Sequence, residues 1–110
     1  SIANKIGSKM IALAAADAGI PVEVITDSWK AAIHGFSFEE HPSEEVYIGD
    51  LRVQALNPYF EVVPSRIISL FITEWGAIKP QELARKLRKA WGRLASIDKK
   101  MRRMRFKPLR

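Results

Sequence analysis

The stretch that most constrains the fold is "SKMIALAAADAGIPVEVIT", residues 8–26, where an alanine-rich helical pattern gives way within a few residues to a β-branched run. Ile2, Ile6, Met10 and Leu13 recur at helical spacing, and Ala12, Ala14, Ala15 and Ala16 add high helix propensity with little bulk. Gly19 followed by Pro21 is a stop signal, so a helix is predicted from about Lys5 to Ala18. "PVEVIT" then reads as a short buried strand. A helix that feeds a strand after so short a connection is half of a β-α-β unit, which favours a parallel sheet covered by helices.

With 110 residues the chain supports one core, since neither half of a split chain would bury enough surface. No apolar run approaches the roughly 18 residues that a membrane span needs. The chain opens at Ser1 without a charged-then-apolar leader, and it has no cysteine, which excludes a disulfide framework, a thiol nucleophile and a zinc-thiolate site. A cytoplasmic setting is the expectation.

Charge is distributed unevenly. Residues 1–78 hold five basic side chains against ten acidic ones, whereas residues 79–110 hold thirteen basic ones against only Glu82 and Asp98. In the last segment Leu83, Leu87, Ala90, Leu94, Ile97, Met101 and Met104 step by four and three, a heptad-like stripe through a basic helix. Packing of that stripe on the body and projection toward a partner are both open. Arg102, Arg103, Arg105, Lys107 and Arg110 would attract phosphates, so non-specific nucleic-acid binding is expected of this tail.

Between the ends, "HGFSFEEHPSEE" reads as a solvated loop; His34 and His41 match no usual metal-ligand spacing. "EVYIG" and "YFEVVP" are predicted strands. Pro64 suits the first turn of a helix, and Ile67, Ile68, Leu70, Phe71 and Ile72 would make that helix apolar on more than one face, marking it as a subunit interface.

Established enzyme motifs are absent: there is no Gly-x-Ser-x-Gly elbow, no GxGxxG and no Walker loop. One arrangement makes chemical sense. Lys5 lies where the first helix would expose free amides, and the strand "VEVIT" delivers Asp27, Ser28 and Lys30 at its carboxyl end, where ligands dock in open α/β sheets. Phosphate binding is one reading of these residues, and plain capping by Asn4 is the other.

Taken together, these stretches resemble a known family. Asn4, Lys5, Gly7 and Ser8, then Asp27, Ser28, Trp29 and Lys30, match its first two elements; Asn57, Pro58, Phe60, Glu61 and Pro64, then Thr73, Glu74 and Gly76, match two more. The family comprises the alpha, beta and delta regulatory subunits of translation initiation factor 2B, archaeal ribose-1,5-bisphosphate isomerase and methylthioribose-1-phosphate isomerase. The likeness covers about Ile2 to Trp91.

The resemblance implies a three-layer α/β Rossmann-like domain at residues 1–91, with a small mostly parallel sheet and "VEVIT" at its centre; the basic helical extension expected at 92–110 lies outside the family pattern, and the resemblance says nothing about it. The resemblance also implies substrate-phosphate contacts from Asn4, Lys5 and Lys30 and no cofactor. The family's catalytic cysteine and aspartate lie upstream of its Asn-Lys pair, and no residue of this sequence corresponds to either. The chain is therefore expected to be a fragment of a parent of about 250 to 350 residues. The leading expectation is a regulatory-subunit fragment acting in assembly, as a homo- or hetero-oligomer with a GTPase initiation factor as partner. The alternative is part of an aldose-ketose isomerase, and the ligand is a sugar phosphate or nucleotide.

Overall fold

The structure, a computed structural model, describes residues 1–32, 35, 37–50 and 52–105. In chain order its regular elements are β1 (Ile2–Lys5), α1 (Ser8–Asp17), β2 (Glu23–Ile25), β3 (Phe60–Val63), β4 (Leu70–Thr73), β5 (Gly76–Ile78) and α2 (Pro80–Arg105). Single 3-10 turns occupy Ser28–Lys30, Ser43–Glu45 and Ser65–Ile67.

The first helix is shorter than its pattern predicts, because "IANK" is drawn into a strand. β1 pairs antiparallel with β3, setting Asn4 opposite Glu61 and Lys5 opposite Phe60. Gly7 then turns the chain with φ 97°, a left-handed conformation that favours glycine, and α1 begins at Ser8. Its end is the one expected. The Gly19 N–H donates to the Ala16 carbonyl and the Ile20 N–H to the Ala15 carbonyl, with Gly19 at φ 69° closing a Schellman motif.

Strand order corrects two expectations. The second sheet runs β2-β4-β5, with β2 parallel to β4 and β4 antiparallel to β5, so "VEVIT" lies at an edge and β4 is central. Among the described residues one of the three strand pairings is parallel, which gives small mixed sheets rather than a mostly parallel one. The Pro64 helix does not form. Ser65–Ile67 makes one 3-10 turn, and Leu70–Thr73 becomes the central strand, with Phe71 buried from the middle of the sheet. A short, continuous apolar run serves a buried strand as well as a helix, and here two flanking strands supply its hydrogen bonds. No interface helix therefore exists at Ile67–Ile72. "EVYIG" is likewise not a strand; it follows the turn at Ser43–Glu45 without entering either sheet.

The core is thin: Ala12, Val63, Ile68, Phe71, Ile78 and Leu83 are buried, with Ile2, Val22, Val24, Ile67 and Leu87 packed against them. α1 lies on β3, and α2 on β4. From Gly92 to Arg103 every residue of α2 is exposed, although the helix runs unbroken through residue 91. The radius of gyration, 20.1 Å, far exceeds the roughly 13 Å of a compact chain of this length, and the longest extent is 70 Å. Among the described residues no helix is long and apolar enough to cross a membrane.

Candidate functional site

β2 and β4 run parallel, and the chain leaves their carboxyl ends at Thr26 and Glu74. The Thr26 N–H extends the ladder by donating to the Ile72 carbonyl at 3.0 Å. Asp27 then caps the next turn, its Oδ1 accepting from the Lys30 N–H at 3.1 Å. The Ser28 N–H donates to both carboxylate oxygens of Glu74, at 3.0 and 3.2 Å. Hydrogen bonding from the Ser28 side chain, with smaller help from the Glu74 and Ser28 backbone, holds the Glu74 carboxyl below its ordinary value. The turn is thus fixed through its backbone, while the Lys30 side chain stays 76% exposed with its Nζ 4.0 Å from Asp27 Oδ2.

Beyond these strand ends, a cleft of about 570 Å³ opens between the sheet and the first turns of α2. Its size is that of a small-molecule site, and it lies outside the carboxyl ends of parallel strands, where α/β sheets bind ligands. Thr26, Ser28, Ser65 and Thr73 line it with hydroxyls, Phe71, Leu83 and Leu87 with apolar surface, Lys30 and Arg88 with positive charge, and Asp27 with a carboxylate beside Lys30. Such a lining can hold an anion attached to a small polyhydroxyl body. Arg88 escaped the sequence reading because it is one of thirteen basic residues in the last segment; only the angle of α2 over β4 selects it.

Lys5 lies elsewhere. Its Nζ is 3.8 Å from the centre of the Tyr59 ring, and the His41 imidazole is stacked on the same ring at 3.4 Å and 4°. A parallel ring at that distance covers one face completely, so the ammonium must occupy the other. The Tyr59 hydroxyl donates to Glu45, which also accepts from Asn57 Nδ2 at 2.8 Å. These bonds, Tyr59 first and Asn57 second, hold the Glu45 carboxyl below its usual range, and Glu45 in turn pushes the Tyr59 phenol up. His34, the other imidazole, lies outside the described residues.

Asn4 is not the helix cap. Its Nδ2 donates to Ser8 Oγ at 2.9 Å, and Ser8 Oγ donates to the Lys5 carbonyl at 2.7 Å. The amides at the start of α1 go instead to Glu61 Oε1, which accepts from Gly7 at 2.7 Å and from Lys9 at 3.0 Å. Asn4 lines a second, shallower cavity of about 420 Å³ beside α1 and β2. Asn4 and Lys30 therefore line separate cavities, and Lys5 lines neither.

The four stretches singled out in the sequence pair off in space. Asn4 to Ser8 is joined to Asn57 to Pro64 through the β1–β3 ladder and Glu61, and the Asp27 turn is joined to Thr73 to Gly76 through Glu74. The model of the initiation factor 2 subunit family matches residues 1–80. The chain belongs to that family. It is 40% identical over 89 residues to a putative methylthioribose-1-phosphate isomerase of Methanothermobacter thermautotrophicus, covering 72% of this chain and 29% of that protein. To the ribose 1,5-bisphosphate isomerase of Archaeoglobus fulgidus it is 38% identical over 89 residues, covering 74% and 28%.

Two solved structures share the fold of this family member. The 5-methylthioribose 1-phosphate isomerase of Pyrococcus horikoshii OT3 matches with a TM-score of 0.68 at 29% identity, over 80% of this chain and 28% of that one. The delta subunit of translation initiation factor eIF-2B from A. fulgidus matches with a TM-score of 0.64 at 28% identity, over 79% and 29%. The chain spans less than a third of the length of these relatives.

Proposed function

We propose that this chain is the phosphate-binding portion of an aldose-ketose sugar-phosphate isomerase, ahead of the regulatory-subunit reading that the sequence first favoured. The observation that carries it is the cleft at the ends of β2 and β4, where Lys30 and Arg88 accompany a ring of hydroxyls. Relatives named as methylthioribose-1-phosphate and ribose 1,5-bisphosphate isomerases, at 40 and 38% identity, support the same choice of ligand. In this reading Lys30 and Arg88 neutralise the phosphate, and Ser28 and Thr73 accept or donate to sugar hydroxyls. Asn4 and Lys5 do not line that cleft, so in this reading they would contact phosphate only from a separate position on the β1 side. For Lys5 this means leaving the Tyr59 face, a contact worth about 0.5–1 kcal/mol at an exposed site and small beside a charge-assisted bond to phosphate.

Proton transfer between the two sugar carbons belongs to groups that the rest of the parent supplies. Met10 and Ile11 stand 71% and 69% exposed on α1, an apolar face that the parent would cover to complete the three-layer order. Both readings suit a cytoplasmic protein.

Titration with ribose 1,5-bisphosphate and with methylthioribose 1-phosphate, followed by calorimetry against an inorganic phosphate control, tests the proposal. Saturable binding of one sugar phosphate, weakened about tenfold or more by Lys30→Ala, is the expected result. Binding no tighter than that of inorganic phosphate, or insensitive to Lys30, would sink it.

A second reading, assembly as an initiation-factor regulatory subunit, draws on the likeness to the eIF-2B delta subunit. Its partners would be sister subunits and a GTPase initiation factor, and sedimentation of the chain with such a factor would test it.

A further inference from the structure

α2 is two helices in one. Over its first turns the apolar stripe is used: Leu83 is buried, and Leu87 and Ala90 are half-buried against the body. The stripe then continues in register, but Leu94, Ile97 and Met101 stand 42%, 52% and 55% exposed and belong neither to the buried core nor to the residues packed against it. A basic helix with no packed face gains little stability from the chain itself, and Gly92 lowers its propensity further. The spacing of three and four residues nevertheless keeps a seam that the body does not fill.

Charge around that seam is one-sided. The position preceding each of Leu87, Leu94 and Met101 is basic: Lys86, Arg93 and Lys100. Residues 92–105 hold six basic side chains and a single acidic one, Asp98, which is paired with Arg102 of the same helix at 2.9 Å. A second copy of this helix would bring the same cationic row, and in an antiparallel pair Arg93 and Lys100 would face that row in the partner, which is unfavourable. An anionic membrane surface would fit a broad apolar face with aromatic residues, whereas this seam has two positions in seven and no aromatic between residues 92 and 105. Nucleic acid would use the charge but leave the seam without purpose.

We propose that residues 92–105 of α2 dock a helix of another protein, one whose apolar seam is flanked by Asp and Glu. Pairing would bury Leu94, Ile97 and Met101 and set carboxylates against Arg93 and Lys100. It does not depend on what the cleft binds.

The probe is a synthetic four-heptad peptide with Leu at both seam positions and Glu at both flanking positions, compared by fluorescence anisotropy with a twin carrying Lys at the flanks. The Glu peptide should bind at least about tenfold more tightly than the Lys twin, and more weakly as salt is raised. A Leu94→Ser/Ile97→Ser double variant, which keeps every charge and touches no buried residue, should lose about tenfold or more. Unchanged binding by that variant would reduce the effect to bulk charge and overturn the proposal. So would a dimer of the chain that the same variant dissociates. Binding to phosphatidylserine vesicles or to a single-stranded RNA oligonucleotide that exceeds the peptide's and falls in the double variant would assign the seam to those ligands instead, and overturn it equally.

Discussion

Lys5 and Lys30 are the same residue type in opposite circumstances. Lys5 sits on a strand paired along its whole length, with its ammonium over Tyr59 and the neighbouring amides of Gly7 and Lys9 satisfied by Glu61. Lys30 sits on a single 3-10 turn held by the Asp27 cap and by Glu74, with its side chain in solvent at the mouth of a cleft. A sequence presents both as a lysine beside an N-terminal turn. The difference is that the first region is closed by contacts more than fifty residues away, while the second is closed locally and by one carboxylate, Glu74.

Substitutions can separate the two regions. Phe71 lies in the central strand, at the floor of the cleft and in the shared core, so Phe71→Ala should cost about 3–5 kcal/mol and loosen both lysine sites together in a denaturant melt. Glu61→Ala removes the acceptor shared by two α1 amides. A loss of about 1–2 kcal/mol is expected, with amide exchange rising at Gly7 and Lys9 and unchanged at Lys30. Glu74→Ala should do the reverse, lowering the melting temperature less than Glu61→Ala and speeding exchange at Ser28 rather than at Gly7. If either variant moved both regions alike, the separation would fail.

Smaller still is the effect of pH on these carboxylates. Glu45 and Glu74 are both held below the ordinary value of 4.5, so the stability they bring is present above that pH and is lost as pH falls through their lower folded values. The melting temperature should drop on acidification through that window. In Tyr59→Phe, which keeps the ring stack but removes the first cause of the Glu45 shift, the drop should be shallower. Lys30→Ala should leave stability within about 0.5 kcal/mol and change only ligand titration.

What could be read in the sequence follows from how local each interaction is. Gly19 and Pro21 announced the end of α1 because a Schellman turn is built from neighbours, and the heptad steps announced α2 for the same reason. "IISLFIT" misled because a continuous apolar run has no period that distinguishes strand from helix, and the preceding Pro64 suits either. β1 was invisible: four residues show no pattern, and their partner strand begins at Phe60. The Asp27 to Lys30 turn could be placed at a strand end from its own residues, but Arg88 could not, since nothing near it in sequence refers to the cleft.

Glu61 also sets the terms on which any free anion could approach the start of α1. Its carboxylate is tethered to the amides it bonds, so a dissolved phosphate arriving there competes with a rival of millimolar or higher effective concentration that never diffuses away. That rival discriminates against weak, singly contacting ions. Displacement would favour only a ligand that brings further contacts of its own, so the helix start acts as a threshold on what may bind beside Lys5.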